Sequence, residues 1–268
     1  MFSIERSGYY AWFKRKSSKR QQRNEILDKK IIPLFEKHKG CYGSPRLTDE
    51  LHDNGERCSK NRVARRMKRL GIKAKAKKKF KMTTDSAHNL PVAPNLLNRD
   101  FTALAPNQKW CGDISYVWTD EGWMYLAIVI DLYSRAIVGW SIQSTMSRRL
   151  VCDALMMALW RRGFPRDVLF HSDRGSQYCS DDYQKMVKKY GLICSMSRKG
   201  NCWDNAVAES FFHSIKTELI NTERYATREI AKQSIFQYIE VYYNRVRRHS
   251  FIGSIAPAVF ENQCKEVA

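Results

Sequence analysis

A chain of 268 residues with 43% hydrophobic and 28% charged residues has the balance of a folded protein, not of an intrinsically disordered one. Its longest apolar run, Met124 to Ile130, falls far short of the roughly 20 residues that a membrane-spanning helix needs, and no signal peptide precedes it, so the expected location is the cytoplasm. The formal charge of +20 is concentrated in residues 1–82, which hold 25 Lys and Arg against 8 Asp and Glu; such a segment suits a polyanion, and nucleic acid above all.

In chain order, composition suggests a basic helical segment over 1–37, a helix-turn-helix-like DNA-binding domain over 38–80, a linker over 81–102 and a larger unit with C-terminal helices over 103–268. Within the second of these, Leu47 and Leu51 mark one face of a short helix that stops at Asp53, Asn54 and Gly55. A second helix is expected to start at the N-cap Ser59, to bury Val63, Met67 and Leu70, and to end at Gly71. Its outer face then carries Arg62, Arg65, Arg66 and Arg69, the arrangement of a recognition helix. A lysine run from Lys73 to Lys81 leads into the polar linker, with prolines at 91 and 94.

Apolar β-rich runs at Trp110–Trp118, Met124–Leu132 and Ala136–Ile142, parted by turn residues, predict an antiparallel meander. Helix over 147–162, strand over 168–170, helix over 182–190 and a strand near Ile193 follow, so the later strands should join in parallel. Two helices, 205–219 and 228–247, close a βββαβαβα order: an α/β fold with a mixed sheet flanked by helices. The eight cysteines form no CxxC pair. The single HxxC spacing, His38 and Cys41, has no second pair to complete a tetrahedral set, so reduced thiols are expected and structural zinc is not.

Three acids stand where a purely structural reading is strained. Asp113 lies inside the first strand, in WCGDISYVW, where a buried sheet would take an apolar residue. Asp173 follows VLF in HSDRGSQY, at the carboxyl end of a strand, where ligand sites of open α/β sheets gather. Glu209 lies on a helix whose apolar stripe is Ala208, Phe212, Ile215 and Leu219, and it shares a polar face with His213 and Lys216. Carboxylates converging from two strands and a helix suit hard divalent cations, Mg²⁺ or Mn²⁺, and a pair of such ions suits phosphoryl transfer. Lys216, two turns beyond Glu209 and about 10 Å along the axis, is too far to be a ligand. It is placed to hold DNA beside the scissile bond. Asp131 reads as structural, Asp204 as a cap of the Glu209 helix, and His171 and His213 as orienting or packing residues.

These motifs carry a resemblance. RSGYYAWFKR, YGSPRL, KNRVARRMKRLGI, GDISYV, HSDRGSQY, GNCWDNAVAESFFHSIKTE, YNRVRRHSFIG and APAVFE span nearly the whole chain and resemble the second-frame product of bacterial insertion-sequence transposases, which share the ribonuclease-H-like core of retroviral integrases. The 35 residues between Asp173 and Glu209 match the DD(35)E spacing of that family. The resemblance implies a mixed five-stranded sheet, and Asp113, Asp173 and Glu209 as the metal triad. It implies that a water first frees a 3′-hydroxyl at the element end and that this hydroxyl then attacks a second phosphodiester. It also implies homo-oligomeric assembly on DNA and, because this chain begins just inside the homology, the upstream-frame product as fusion or partner. Two other functions fit the same residues less well: a DNA-binding regulator without catalysis, which would show no metal-dependent activity, and a ribonuclease-H-like nuclease, which would not transfer a 3′ end.

Overall fold

The computed structural model describes residues 6–75 and 90–265 and divides the chain into two compact units, residues 1–75 and 76–268. The stretch 76–89, with most of the lysine run and the first part of the expected linker, lies outside the described residues. Among those described, no helix is long and apolar enough to cross a membrane.

The first unit is helical. α1 (Arg6–Phe13) buries none of its residues. α2 (Lys19–Lys37) starts where the hydroxyl of Ser18 accepts the N–H of Gln21 at 3.2 Å, and it buries Leu27 and Ile31. α3 (Ser44–Asp53) buries Leu47 and Leu51, and α4 (Lys60–Arg69) is capped by Ser59 and buries Val63 and Met67. The two short helices thus pack most of their expected apolar faces; Leu70, expected to be buried as well, is the C-cap of α4 and only partly buried. The expected outer face of α4, however, is divided. Arg62 donates to the Asn24 side chain and the Arg23 carbonyl, and Arg66 pairs with Asp28, so both turn toward α2. They sit one helical turn apart on the flank of the Val63–Met67 stripe, within reach of the neighbouring helix, whereas Arg65 and Arg69 are exposed.

The second unit is built on one sheet: β1 (Lys109–Thr119), β2 (Gly122–Asp131), β3 (Ile137–Gln143), β4 (Leu169–Ser172) and β5 (Ile193–Met196), in the order β3-β2-β1-β4-β5. β1, β2 and β3 form the expected antiparallel meander, and β4 and β5 join in parallel. α5 (Arg148–Arg161), the single turn α6 (Ser176–Cys179) and α7 (Asp181–Lys189) cover one face with Leu150, Leu155, Tyr178, Tyr183 and their neighbours. α5 rests so closely on β3 that a Cβ at Gly139 would lie 2.2 Å from the carbonyl oxygen of Ala154, which requires glycine there. α8 (Ala206–Glu218) and α9 (Arg228–Phe236) cover the other face with Phe211, Phe212, Ile215 and Ile235, and α10 (Pro257–Lys265) ends the described chain.

Two expectations change. The helix expected over 228–247 is α-helical only to Phe236 and then widens into a π-helical stretch, Gln237–Tyr243, which lets Tyr238, Ile239 and Tyr243 all face the core. The described part of the expected linker is packed structure: Leu97 is buried in the core, and the N–H groups of Leu96 and Leu97 donate to the Ser195 hydroxyl at 2.9 and 3.1 Å.

Candidate active site

β1 is the central strand, and its side chains alternate between the two cores. Cys111 and Val117 belong to the core under α8, and Asp113, in step with them, points to the same side. One carboxylate oxygen of Asp113 accepts the N–H of Ile114 at 2.8 Å. β4 runs parallel beside β1 with Lys109 opposite Leu169 and Cys111 opposite His171, so Asp173, the first residue past β4, comes level with Asp113. The Asp173 carboxylate accepts the N–H of Gly175 at 2.9 Å, which turns the chain sharply out of the sheet. A Cβ at Gly175 would come within 3.1 Å of that carboxylate, so the turn is kept clear by a glycine. α8 is tied to the sheet at the same point: the Asn205 amide donates to the Gly112 carbonyl at 3.1 Å, one residue before Asp113. Ala208, Phe211, Phe212 and Ile215 then bury the inner stripe of α8, and Glu209 is left at the open side of the site.

The three acids feel one another. Burial first, and then the negative charges of Asp173 and Glu209, push the Asp113 carboxyl well above the ordinary range; burial and Asp173 likewise raise Glu209. Among the described residues no group of three or more His, Cys, Asp or Glu side chains stands in metal-binding geometry. Lys216, half-buried, has its ammonium 4.8 Å from the centre of the Tyr116 ring. Burial pulls its pKa down to about 8, against the opposing field of Asp113.

The competing acids and histidines have other duties. Asp131 is fully buried and accepts the N–H groups of Asn107 and Tyr133, each at 2.9 Å, the structural role expected of it. His171 is fully buried between the hydroxyls of Ser195 and Ser197, and burial holds its pKa down to about 4. Asp204 is not the cap of α8; the N-cap position is Asn205, whose side chain does not cap. Instead Asp204, in a 3₁₀ turn at Cys202–Asn205, gathers the Arg198 backbone and guanidinium, the Arg99 guanidinium and the Asn95 amide, all at 2.8–2.9 Å. Arg198 holds its carboxyl far below the ordinary range. A cap needs only a free acid before a helix, but this one is fully enclosed, by Arg198 a few residues before it and by Arg99 and Asn95 from far earlier in the chain.

A β3-β2-β1-β4-β5 sheet with helices on both faces, and acids placed on the central strand, after its parallel neighbour and on the next helix, defines a polynucleotidyl transferase of the ribonuclease-H-like, integrase type. The Integrase core domain family matches residues 103–202, a second Integrase core domain family residues 209–264, and the HTH-like domain family residues 21–80. The chain is 52% identical over 262 residues to the transposase InsF for insertion sequence IS3A of Escherichia coli (strain K12), covering 97% of this chain and 91% of the relative. It is 45% identical over 268 residues to the insertion element IS600 uncharacterized 31 kDa protein of Shigella sonnei, covering 100% and 98%. The chain belongs to the family of IS3-type insertion-sequence transposases and is a DNA transposase. Among solved structures it is similar to the HTLV-2 integrase catalytic core domain in complex with magnesium (TM-score 0.46, 16% identical, 60% of this chain and 99% of that one). It is also similar to the simian T-cell lymphotropic virus intasome in complex with PP2A regulatory subunit B56 gamma (TM-score 0.48, 14% identical, 85% and 73%).

Proposed function

We propose that Asp113, Asp173 and Glu209 hold two divalent cations, Mg²⁺ or Mn²⁺, and that the transposase uses this site to cut the ends of its element and join each freed 3′-hydroxyl to a second DNA. What supports this reading is that three carboxylates from separate elements lie within reach of one another's charge, with burial first and like charge second raising Asp113 and Glu209. Such a cluster costs the fold stability and is relieved by a cation. A donor set of oxygens alone, without thiolate or imidazole, fits Mg²⁺ and Mn²⁺. When bound, a pair of such ions activates the attacking oxygen and stabilises the leaving oxygen.

The residues themselves supply position. Asp113 is fixed on the central strand and Asp173 by its turn, each with an oxygen engaged by a backbone N–H, so their remaining oxygens are held at defined places. Glu209 closes the set from the open side, where DNA can approach. Lys216 holds a phosphate of the DNA end. His171 moves no proton, since both ring nitrogens are occupied deep in the sheet.

In the first unit Arg65 and Arg69 are proposed to meet DNA, in a single cleft with Arg20 and Arg23 from α2, while Arg62 and Arg66, expected there too, line the same cleft but are engaged by α2. The reading includes a homo-oligomer on paired element ends, cooperation with the upstream-frame product, and work at the bacterial nucleoid in the cytoplasm. A metal titration tests it: cleavage of an end-containing duplex should appear with Mg²⁺ or Mn²⁺, and metal-independent cleavage would overturn it.

A further inference from the structure

The hairpin beyond Asp113 carries a surface that this chemistry does not use. Trp118 and Trp123 face each other across β1 and β2, 54% and 46% exposed, with ring centroids 4.8 Å apart at 74°. Tyr116 extends the cluster, 5.4 Å from Trp123 at 86°, and the Lys216 ammonium lies over the Tyr116 ring. Tyr116 and Trp118 point to the other side of β1 from Asp113, and Lys216, which feels the charge of Asp113 and lies over the Tyr116 ring, links the two. Tyr116 is three residues along the strand from Asp113, about 10 Å at roughly 3.4 Å per residue. That is the length of about three stacked nucleotides at roughly 3.4 Å each.

The hairpin tip is also tied by hydrogen bonds and an ion pair. The buried Thr119 hydroxyl donates to the Gly122 carbonyl at 2.7 Å, Asp120 pairs with Arg224, and the Glu121 carboxylate accepts the Arg228 N–H at 2.8 Å. Both tip acids thereby have partners of their own, and Lys216 is a cation over the Tyr116 ring. Cross-strand packing alone accounts for one tryptophan against the other. It does not account for two indoles kept half in solvent beside a tyrosine that carries a lysine over its ring.

We propose that Tyr116, Trp118 and Trp123 form a stacking platform for unpaired nucleotides of the DNA at the reaction centre, an inference that rests on the acidic cluster being the site of phosphoryl transfer. A base inside a duplex has both faces covered by its neighbours, so only nucleotides splayed out of the helix can use such rings. Stacking of this kind is indifferent to base identity, because every base has a π-face. Lys216 holds the phosphate that joins the stacked nucleotides to the duplex.

The test uses the full chain in metal-free buffer and a duplex of the element end with a three-nucleotide unpaired 3′ tail carrying 2-aminopurine, compared with the same end fully paired. The wild type should quench the tail's fluorescence. Trp118→Ala and Trp123→Ala should each lose that quenching and bind the tailed duplex about 5- to 150-fold more weakly, the equivalent of roughly 1–3 kcal/mol per stacked base. Binding to the paired duplex should be unchanged, and Trp118→Phe should retain most of the quenching. Equal weakening on both duplexes, unchanged quenching, or a change of sedimentation mass with quenching intact would each overturn the platform, the last by making this face a contact between copies. Because no divalent ion is present, failure here is distinct from failure of the acidic cluster, which is read by metal-dependent cleavage.

Discussion

Asp113 and Asp173 each lie two residues beyond a parallel pair: Cys111 on β1 stands opposite His171 on β4, and Asp173 is the first residue after that strand. Without a cation they repel, and burial first and then the charge of Asp173 raise the Asp113 carboxyl. Asp113→Asn should therefore make the metal-free protein more stable. A relief of about 1 kcal/mol would raise the unfolding temperature by about 2–4 °C in a unit of this size. Scanning calorimetry with and without Mg²⁺ checks this, since the variant should also lose the metal-induced rise that the wild type shows. A lower melting temperature would mean that Asp113 is a structural acid.

Lys216 is expected to act on DNA and not on the fold. Lys216→Ala should keep the wild-type melting temperature and cleave element ends much more slowly, and Lys216→Arg should recover part of the rate. With its pKa down to about 8, its ammonium is charged below that value and is lost as pH rises through it. The gap in end binding between wild type and Lys216→Ala should narrow from pH 7 to pH 9. A constant gap across that range would contradict the role of its charge.

The exposed and inward arginines of α4 should separate experimentally. Removing Arg65 and Arg69 should weaken DNA binding and flatten the slope of log K against log salt by up to about 0.9 for each phosphate no longer neutralised. Removing Arg66 breaks its ion pair with Asp28 and should also lower the stability of the helical unit, by about 1 kcal/mol. Salt titrations and urea unfolding of the same variants distinguish the two effects.

His171 gives a stability signature in acid. Its folded pKa, about 4, lies below its unfolded value of about 6.5, so the unfolded state binds the proton first as pH falls. This contribution is fully present above about 6.5 and is lost progressively toward 4, up to about 3 kcal/mol. His171→Gln should lack that slice, so the wild type should lose more stability than the variant between pH 7 and pH 5. Parallel curves for the two proteins in urea would contradict a neutral, buried imidazole.

Much of the fold and of the site is legible in the sequence because the signals are local. Apolar runs broken at Asp120, Glu121 and Gly122 mark the β1–β2 hairpin, and an acid at position 113 inside such a run is conspicuous. The same turn places Trp118 opposite Trp123, a pairing that follows from the hairpin register. What stays hidden depends on partners distant in sequence. Leu97 reads as part of a polar linker until β5 receives it, and Asp204 reads as a helix cap until Arg198, Arg99 and Asn95 surround it. The π-helical turn after Phe236 obeys the packing of Tyr238, Ile239 and Tyr243, not any local propensity. Arg62 and Arg66 turn inward because α2 offers them Asn24 and Asp28.

The most direct test of the account is the transfer of a labelled element end to a second DNA in Mg²⁺ by the wild type and by Asp113→Asn, Asp173→Asn and Glu209→Gln, with end binding measured on the same preparations. Transfer is expected from the wild type and from none of the three variants, with end binding preserved in all four. Wild-type turnover in any one variant would contradict it.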